Sequence, residues 1–232
     1  FNGLAAYEEK DETPFRFGSF TTMGELYVET GLNELRMSNY RRILSLDSAM
    51  VVVQFDKDGV QYQRKYFISY PDSVMVMKFT ANQSGKQNLI LSYCPNSEAK
   101  SNLRADGKDG LVYTGVLDNN GMKFAFRIKA IHKGGTLEAE NDRLIVKGAD
   151  EVVFLLTADT DYKMNFNPDF KDPKTYVGND PEQTTRIMMD QAVQKGYDEL
   201  YRNHEADHTA LFNRVRLQLN PDISSPNLPT YQ

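Results

Sequence analysis

Between Phe20 and Asp161 apolar and polar residues alternate in short runs, and the runs are separated by Gly, Asn and Asp. A period of two places successive side chains on opposite faces, which is what a half-buried strand requires and a helix cannot use. Met50–Phe55 and Val60–Ile68 flank Asp56-Lys57-Asp58-Gly59, a hairpin signal. Val74–Thr80 sets Val, Val and Lys against Met, Met and Phe, with Asn82–Lys86 as its turn. Leu89–Tyr93 and Leu111–Val116 follow, and Asp118-Asn119-Asn120-Gly121 turns the chain into Met122–Ile131. Gly134-Gly135, Glu140-Asn141-Asp142 and Lys147-Gly148-Ala149-Asp150 punctuate three further strands, the last being Glu151–Thr157. Strands at this spacing, with no helical segment between them, predict a mainly β protein built as an antiparallel β-sandwich or barrel.

The pattern changes after residue 160. Residues 161–180 lack a period and carry Pro168, Pro173 and Gly178, so they read as a long loop. Tyr162, Phe166, Phe170 and Tyr176 lie on it. These rings either pin the loop to the sheet or line a groove shared with another domain. From Pro181 the period becomes helical: Met188, Val193, Tyr197, Leu200, His204, His208, Leu211 and Val215 recur at three- and four-residue steps. Asp180 suits the N-cap and Pro181 the first helical position, while Asn203 marks a candidate break into two helices. Val215–Leu219 alternates like a strand, and Pro221 to Gln232 reads as an extended tail. The organisation expected is a sandwich over 1–160, with residues 1–18 an acidic entry loop, a loop over 161–180, and a helical linker with its tail over 181–232.

A chain of 232 residues can bury a sizeable core as one domain. Its net charge of -5 argues against nucleic acid or an anionic membrane surface as partner. No run reaches the roughly 18 apolar residues that a membrane helix needs. Cys94 is the single cysteine, so no internal disulfide can form. The absence of Trp lowers the case for a freestanding sugar-binding module, which leans on flat rings.

His204-Glu205-Ala206-Asp207-His208 satisfies the H-E-x-x-H pattern on a helix, in which two histidines hold Zn²⁺ and the Glu activates water. A third ligand is wanting: no Glu follows Glu205, Leu211 and Arg214 occupy the metzincin Gly and His places, and only Asp222 remains downstream. Both histidines also lie on the apolar stripe, which favours a packed, hydrogen-bonded pair over a metal site. Of the carboxylates, Asp159 and Asp161 end a strand, while Asp56/Asp58 and Asp106/Asp109 sit in turns, where Asp is favoured for local reasons. Glycosidases flank the scissile bond with two carboxyl groups, but no pair here stands out. Cys94 has no His neighbour, and Gly134-Gly135 is a turn rather than a phosphate loop.

Three phrases occur in order. They are Phe20-Thr-Thr-Met23-Gly24-Glu25-Leu26-Tyr27, then Tyr40-Arg41-Arg42-Ile43-Leu44-Ser45-Leu46-Asp47, then Arg64-x-x-Phe67-x-Ser69-x-Pro71-Asp72. The helix adds His204-x-x-Asp207 and Leu211-Phe212-x-Arg214-Val215-x-Leu217-x-Leu219. Together they resemble the N-terminal β-sandwich and helical linker of glycoside hydrolase family 95, the α-L-fucosidases and their relatives, from Phe17 to Thr230. The resemblance implies an inverting α-L-fucosidase whose general acid (a Glu) and water-activating Asn and Asp lie in a later (α/α)6 barrel. None of those positions falls before Gln232, so no catalytic, metal or cofactor residue is assigned here, and substrate-binding residues stay unassigned. The partners implied are the catalytic barrel of the same polypeptide and, through it, a fucosylated glycan, with neither nucleic acid nor membrane. The implied location is periplasmic or secreted. Family members carry earlier strands, including an L-N-E-D-x-x-W phrase, that have no counterpart here. The rival readings are a freestanding carbohydrate-binding sandwich and, more remotely, a zinc metallopeptidase built on His204 and His208.

Overall fold

The computed structural model of the chain describes residues 22–33, 35–95, 99–118, 120–140, 142–166 and 173–216. Twelve strands run in order: β1 (Gly24–Glu29), β2 (Met37–Ser45), β3 (Met50–Lys57), β4 (Val60–Ser69), β5 (Val74–Ala81), β6 (Gln87–Pro95), β7 (Ala99–Ala105), β8 (Gly110–Leu117), β9 (Lys123–Lys133), β10 (Thr136–Glu140), β11 (Arg143–Ala149) and β12 (Glu151–Thr160). A short 3-10 turn (Pro173–Tyr176) and one long helix, α1 (Pro181–Phe212), complete the described elements. The antiparallel sandwich expected from the alternation is present. A four-stranded sheet, in order β1-β6-β11-β10, faces an eight-stranded sheet, in order β2-β3-β4-β5-β12-β9-β8-β7.

Turn chemistry sets several registers. Asp58 and Gly59 adopt φ of 49° and 76°, the pair of positive values a two-residue hairpin turn demands, and Lys57 pairs with Val60 across it. Asn82–Lys86 does a different job. It carries the chain from β5 in the large sheet to β6 in the small one, a corner rather than a hairpin. β7 has no counterpart among the strands expected from the alternation, because Ala99–Ala105 is mostly polar and buries no residue fully at the sheet edge.

Between the sheets lies a core of Phe79, Leu91, Leu111, Tyr113, Ile128, Leu144 and Phe154, all buried. The outer face of the large sheet would be open to water but for α1. Met189, Ala192 and Leu200 of the helix pack there against Met50, Phe67, Val74, Val76, Val153 and Leu155. The helix therefore closes a second apolar layer of the sandwich.

Two expectations for this helix need correction. The break falls at Gly196 (φ 71°, ψ 172°), not at Asn203, whose side chain instead donates to Asp72. The region around those angles is open essentially to glycine alone. The buried face nonetheless continues across the break. After it, Leu200 and His204 are buried as the stripe requires. Before it, the buried residues are Pro181, Thr185, Met189 and Ala192, with Val193 half-buried beside them, so Met188 is one position off the buried face; at the far end of the expected stripe Leu211 and Val215 are exposed. Asp180 does cap the helix, accepting from the Glu182 amide at 3.1 Å, and Pro181 starts it. Residues 215 and 216 follow the helix as irregular chain, and the rest of the expected strand 215–219, like the entry loop 1–18, lies outside the described residues.

Candidate functional site

The H-E-x-x-H pair is engaged with backbone. His204, 7% exposed, donates through Nε2 to the Ala49 carbonyl at 3.1 Å, and its ring stacks on Phe67 with centroids 5.0 Å apart. His208 donates through Nε2 to the Leu46 carbonyl at 2.7 Å and stacks on Phe212. Glu205 accepts from the Tyr201 hydroxyl at 3.0 Å. A zinc peptidase needs the same nitrogens turned towards one ion and a third ligand within reach. Among the described residues no three His, Cys, Asp or Glu side chains gather to hold a metal, and Asp222 lies outside them.

The carboxylates flagged from sequence are held by strand ends and neighbouring cations. Asp106 pairs with the buried Arg127, and Asp109 with Lys129 at 3.2 Å. Asp161 is buried and accepts from the Lys123 amide at 2.9 Å. Asp159 accepts from the Thr160 amide, Asp56 from Asn39, and Asp58 lies 3.9 Å from Lys57. These distances do not bring any of the three pairs together across a groove. Cys94 is free and exposed. Gly134-Gly135 is the β9–β10 turn.

The best-built polar cluster is one to which the sequence reading gave no role. Asp72, its side chain only 2% exposed, accepts from Ser69 Oγ at 2.6 Å, Lys195 Nζ at 2.7 Å and Asn203 Nδ2 at 3.1 Å. Burial alone would raise its carboxyl. The three donors more than offset that and hold it below the ordinary carboxylate value. The signal was present in the text, since Phe67, Ser69 and Asp72 all belong to the Arg64-x-x-Phe67-x-Ser69-x-Pro71-Asp72 phrase. Its function is mechanical: Phe67 and Asp72 dock both halves of α1 on the sheet. Glu151 makes a similar clamp between Lys78 at 2.8 Å and Lys133 at 2.9 Å, and Lys78 also lies over the Tyr197 ring.

Two features have the shape of binding surfaces. The four-stranded sheet ends at β1, so the inner face of the larger sheet emerges beyond it. A cleft of about 520 Å³ opens there, lined by Leu26 and Val28 of β1 and by Tyr66, Met75, Met77 and Phe79 of β4 and β5. Beyond it Leu44 and Ile68, on the same face, are 63% and 66% exposed. The second feature is the loop after β12. Tyr162 and Tyr176 stack on each other at 6.0 Å, bridged by Tyr162 pairing with Val177, and Phe166 is 86% exposed. So two of the loop's rings tie it to itself, and Phe170 lies outside the described residues. Of the other exposed rings among the described residues, Phe212 stacks on His208, while Tyr27 on β1, Tyr40 on β2 and Tyr70 in the β4–β5 turn lie on separate segments. Among the described residues they form no flat row on one sheet face of the kind that stacks sugars.

Sandwich, corner connection and helical cover define the class: a two-sheet antiparallel domain roofed by a helix, with no paired carboxylates facing a groove among the described residues. The chain belongs to the family described as glycosyl hydrolase family 65, N-terminal domain, whose model matches residues 4–165. A "Probable alpha-fucosidase A" from Aspergillus niger (strain ATCC MYA-4892 / CBS 513.88 / FGSC A1513) is 27% identical over 230 residues, 94% of this chain and 28% of its own length. An "Alpha-L-fucosidase 2" from Arabidopsis thaliana is 26% identical over 227 residues, 87% of this chain and 26% of its own. The chain thus spans little more than a quarter of the curated relatives it matches. Among solved structures a "Putative kojibiose phosphorylase from human microbiome" superposes with a TM-score of 0.53 at 9% identity, over 79% of this chain and 27% of that one, which shows the fold alone. The likeness to α-fucosidases read from the strand phrases stands. The family number 95 is not the one the matching description carries. Those phrases mark strands and helix-docking contacts, so they follow the domain, and the domain's fold reaches as far as a phosphorylase.

Proposed function

We propose that this chain is the non-catalytic N-terminal domain of an α-L-fucosidase-like glycoside hydrolase of the family 95 type, acting by inversion and working outside the cytoplasm, in the periplasm or as a secreted protein. Residues 1–160 supply the sandwich, 161–180 the exit loop and 181–232 the helical connection. The domain scaffolds an (α/α)6 barrel of the same polypeptide and shapes one wall of its cleft, and the glycan is met through that barrel.

One observation carries this reading: 94% of the chain aligns with an α-fucosidase of which it makes up only 28%. The positions of the described carboxylates agree with it. Glycoside hydrolysis needs a positioned acid and an activated water facing one bond, whereas Asp72, Asp106, Asp161 and Glu151 are spent on donors within the fold. The experiment is an aryl α-L-fucoside assay on two purified proteins, residues 1–232 alone and the full reading frame. Turnover is expected from the second and none from the first above a mock purification. Turnover by 1–232 would overturn the assignment, and an inactive full-length protein would overturn the fucosidase part of it.

A further inference from the structure

The sandwich has two ends, and they are chemically unlike. The registers Lys57↔Val60, Thr80↔Glu151 and Glu151↔Lys133 gather the β3–β4, β5–β6, β9–β10 and β11–β12 connections at one end. Those connections are Asp58-Gly59, Asn82–Lys86, Gly134-Gly135 and Asp150, all polar or Gly. Leu35, on the approach to β2, is the exposed apolar exception there. The registers Ser45↔Met50, Ser69↔Val74 and Thr160↔Phe124 bring the β2–β3 turn, the β4–β5 turn and the exit of β12 to the opposite end. The C-terminus of α1 arrives there as well, since His208 bonds to Leu46.

At this second end several tips are apolar, although the β8–β9 and β10–β11 turns that also reach it are polar. Leu46, Tyr70, Tyr162, Phe166, Leu211 and Val215 come from four separate segments, and each is more than half exposed. Connections over a protein surface are ordinarily polar, and single exposed apolar residues need no explanation. Among the described residues a concentration of them at one end, against Leu35 alone at the other, marks an interaction surface. It is also the end from which the described chain departs, at Val215 and Arg216.

We propose that this end is the surface on which the remainder of the parent polypeptide packs, an inference that rests on the reading of the chain as an N-terminal domain. Two observations select that occupant over a second copy or a foreign protein. The last described residues, Val215 and Arg216, lie at the patch, so polypeptide C-terminal to them meets it at very high effective concentration. The curated relatives devote about three-quarters of their length to sequence outside this domain, since the chain makes up 28% and 26% of them. An ordinary interdomain contact of roughly 600–1,500 Å² is enough to cover tips of this kind.

The test is cysteine protection. In a Cys94→Ser background, Tyr70→Cys, Phe166→Cys and Leu211→Cys are introduced singly at the apolar end, with Ser84→Cys and Lys147→Cys as controls at the polar end. All five positions are exposed, so the variants keep the fold. Each is labelled with N-ethylmaleimide in residues 1–232 and in the full-length protein. Cysteines at 70, 166 and 211 should react at least about tenfold more slowly in the full-length protein, with those at 84 and 147 unchanged. Equal rates in both proteins at 70, 166 and 211, or protection confined to 84 and 147, overturns the proposal. Protection at 70, 166 and 211 that appears in 1–232 on raising its concentration assigns the end to self-association and overturns it too. Fucoside turnover is scored separately: an active parent with an unprotected end sinks this inference alone, and an inactive parent with a protected end sinks only the fucosidase reading.

Discussion

Asp72 and His204 hold the same helix by opposite means. Asp72 does so as a charge whose burial is offset by three donors, and its carboxyl is held below its usual value. A depressed folded-state value means that the stabilisation is complete above the unfolded carboxylate value, about 3.9, and is lost as pH falls through the lower folded one. Replacing Asp72 with Asn should cost about 2 kcal/mol at pH 7, the scale of hydrogen bonds to a charged group. It should also flatten the fall in stability below about pH 4. Urea melts at pH 7 and pH 3 check both. A variant as acid-sensitive as the native protein would show that Asp72 does not contribute. His204 works as a buried ring with one hydrogen bond. His204→Ala should destabilise by about 1–3 kcal/mol through lost stacking on Phe67 and an orphaned Ala49 carbonyl. Chelator treatment of the native protein should leave its melting temperature unchanged, and a drop would restore the zinc reading.

Among the elements, α1 shows what one backbone angle decides. Gly196 has open space where a Cβ would sit, so no clash penalises a larger residue there. The penalty lies in the dihedral pair itself, φ 71° with ψ 172°. Gly196→Ala should therefore cost about 1–3 kcal/mol although it creates no contact problem, and it should favour a straight helix that lifts Leu200 off Phe67. Thermal unfolding reads the cost, and loss of the Tyr197 and Tyr201 near-ultraviolet signal reads the undocking. Unchanged stability would mean that the break is not required. A strand-forming run fixes its own faces, as β5 does with Val74 and Val76 outward and Met75, Met77 and Phe79 inward. A helix stripe is buried only where a neighbour covers it: Val193, Tyr197, Leu200 and His204 of the expected stripe meet the sheet, whereas Leu211 and Val215 at its end are exposed.

In the whole molecule, the helix counts as part of the domain because the large sheet is apolar on both faces. A chain ended at residue 180 exposes Phe67, Val74, Val76, Val153 and Leu155 together. It should lose cooperative unfolding or bind a hydrophobic dye strongly, and a stable, dye-silent 1–180 would refute the claim that α1 is cover. The sequence by itself determined the mainly β class, most of the strands, the Asp58-Gly59 hairpin, the capped start of the helix and the likeness to α-fucosidases. Those signals are local: period, turn residues and short phrases survive without knowledge of neighbours. The tertiary structure alone decided which strands share a sheet, since Asn82–Lys86 reads as a turn whether it closes a hairpin or turns a corner. It decided that His204-Glu205-x-x-His208 packs on carbonyls of the β2–β3 turn instead of facing an ion, because those carbonyls lie some 155 and 162 residues away in sequence. It also decided that the apolar tips share one end, a fact set by strand registers between residues that are distant in the chain and that no local pattern can carry.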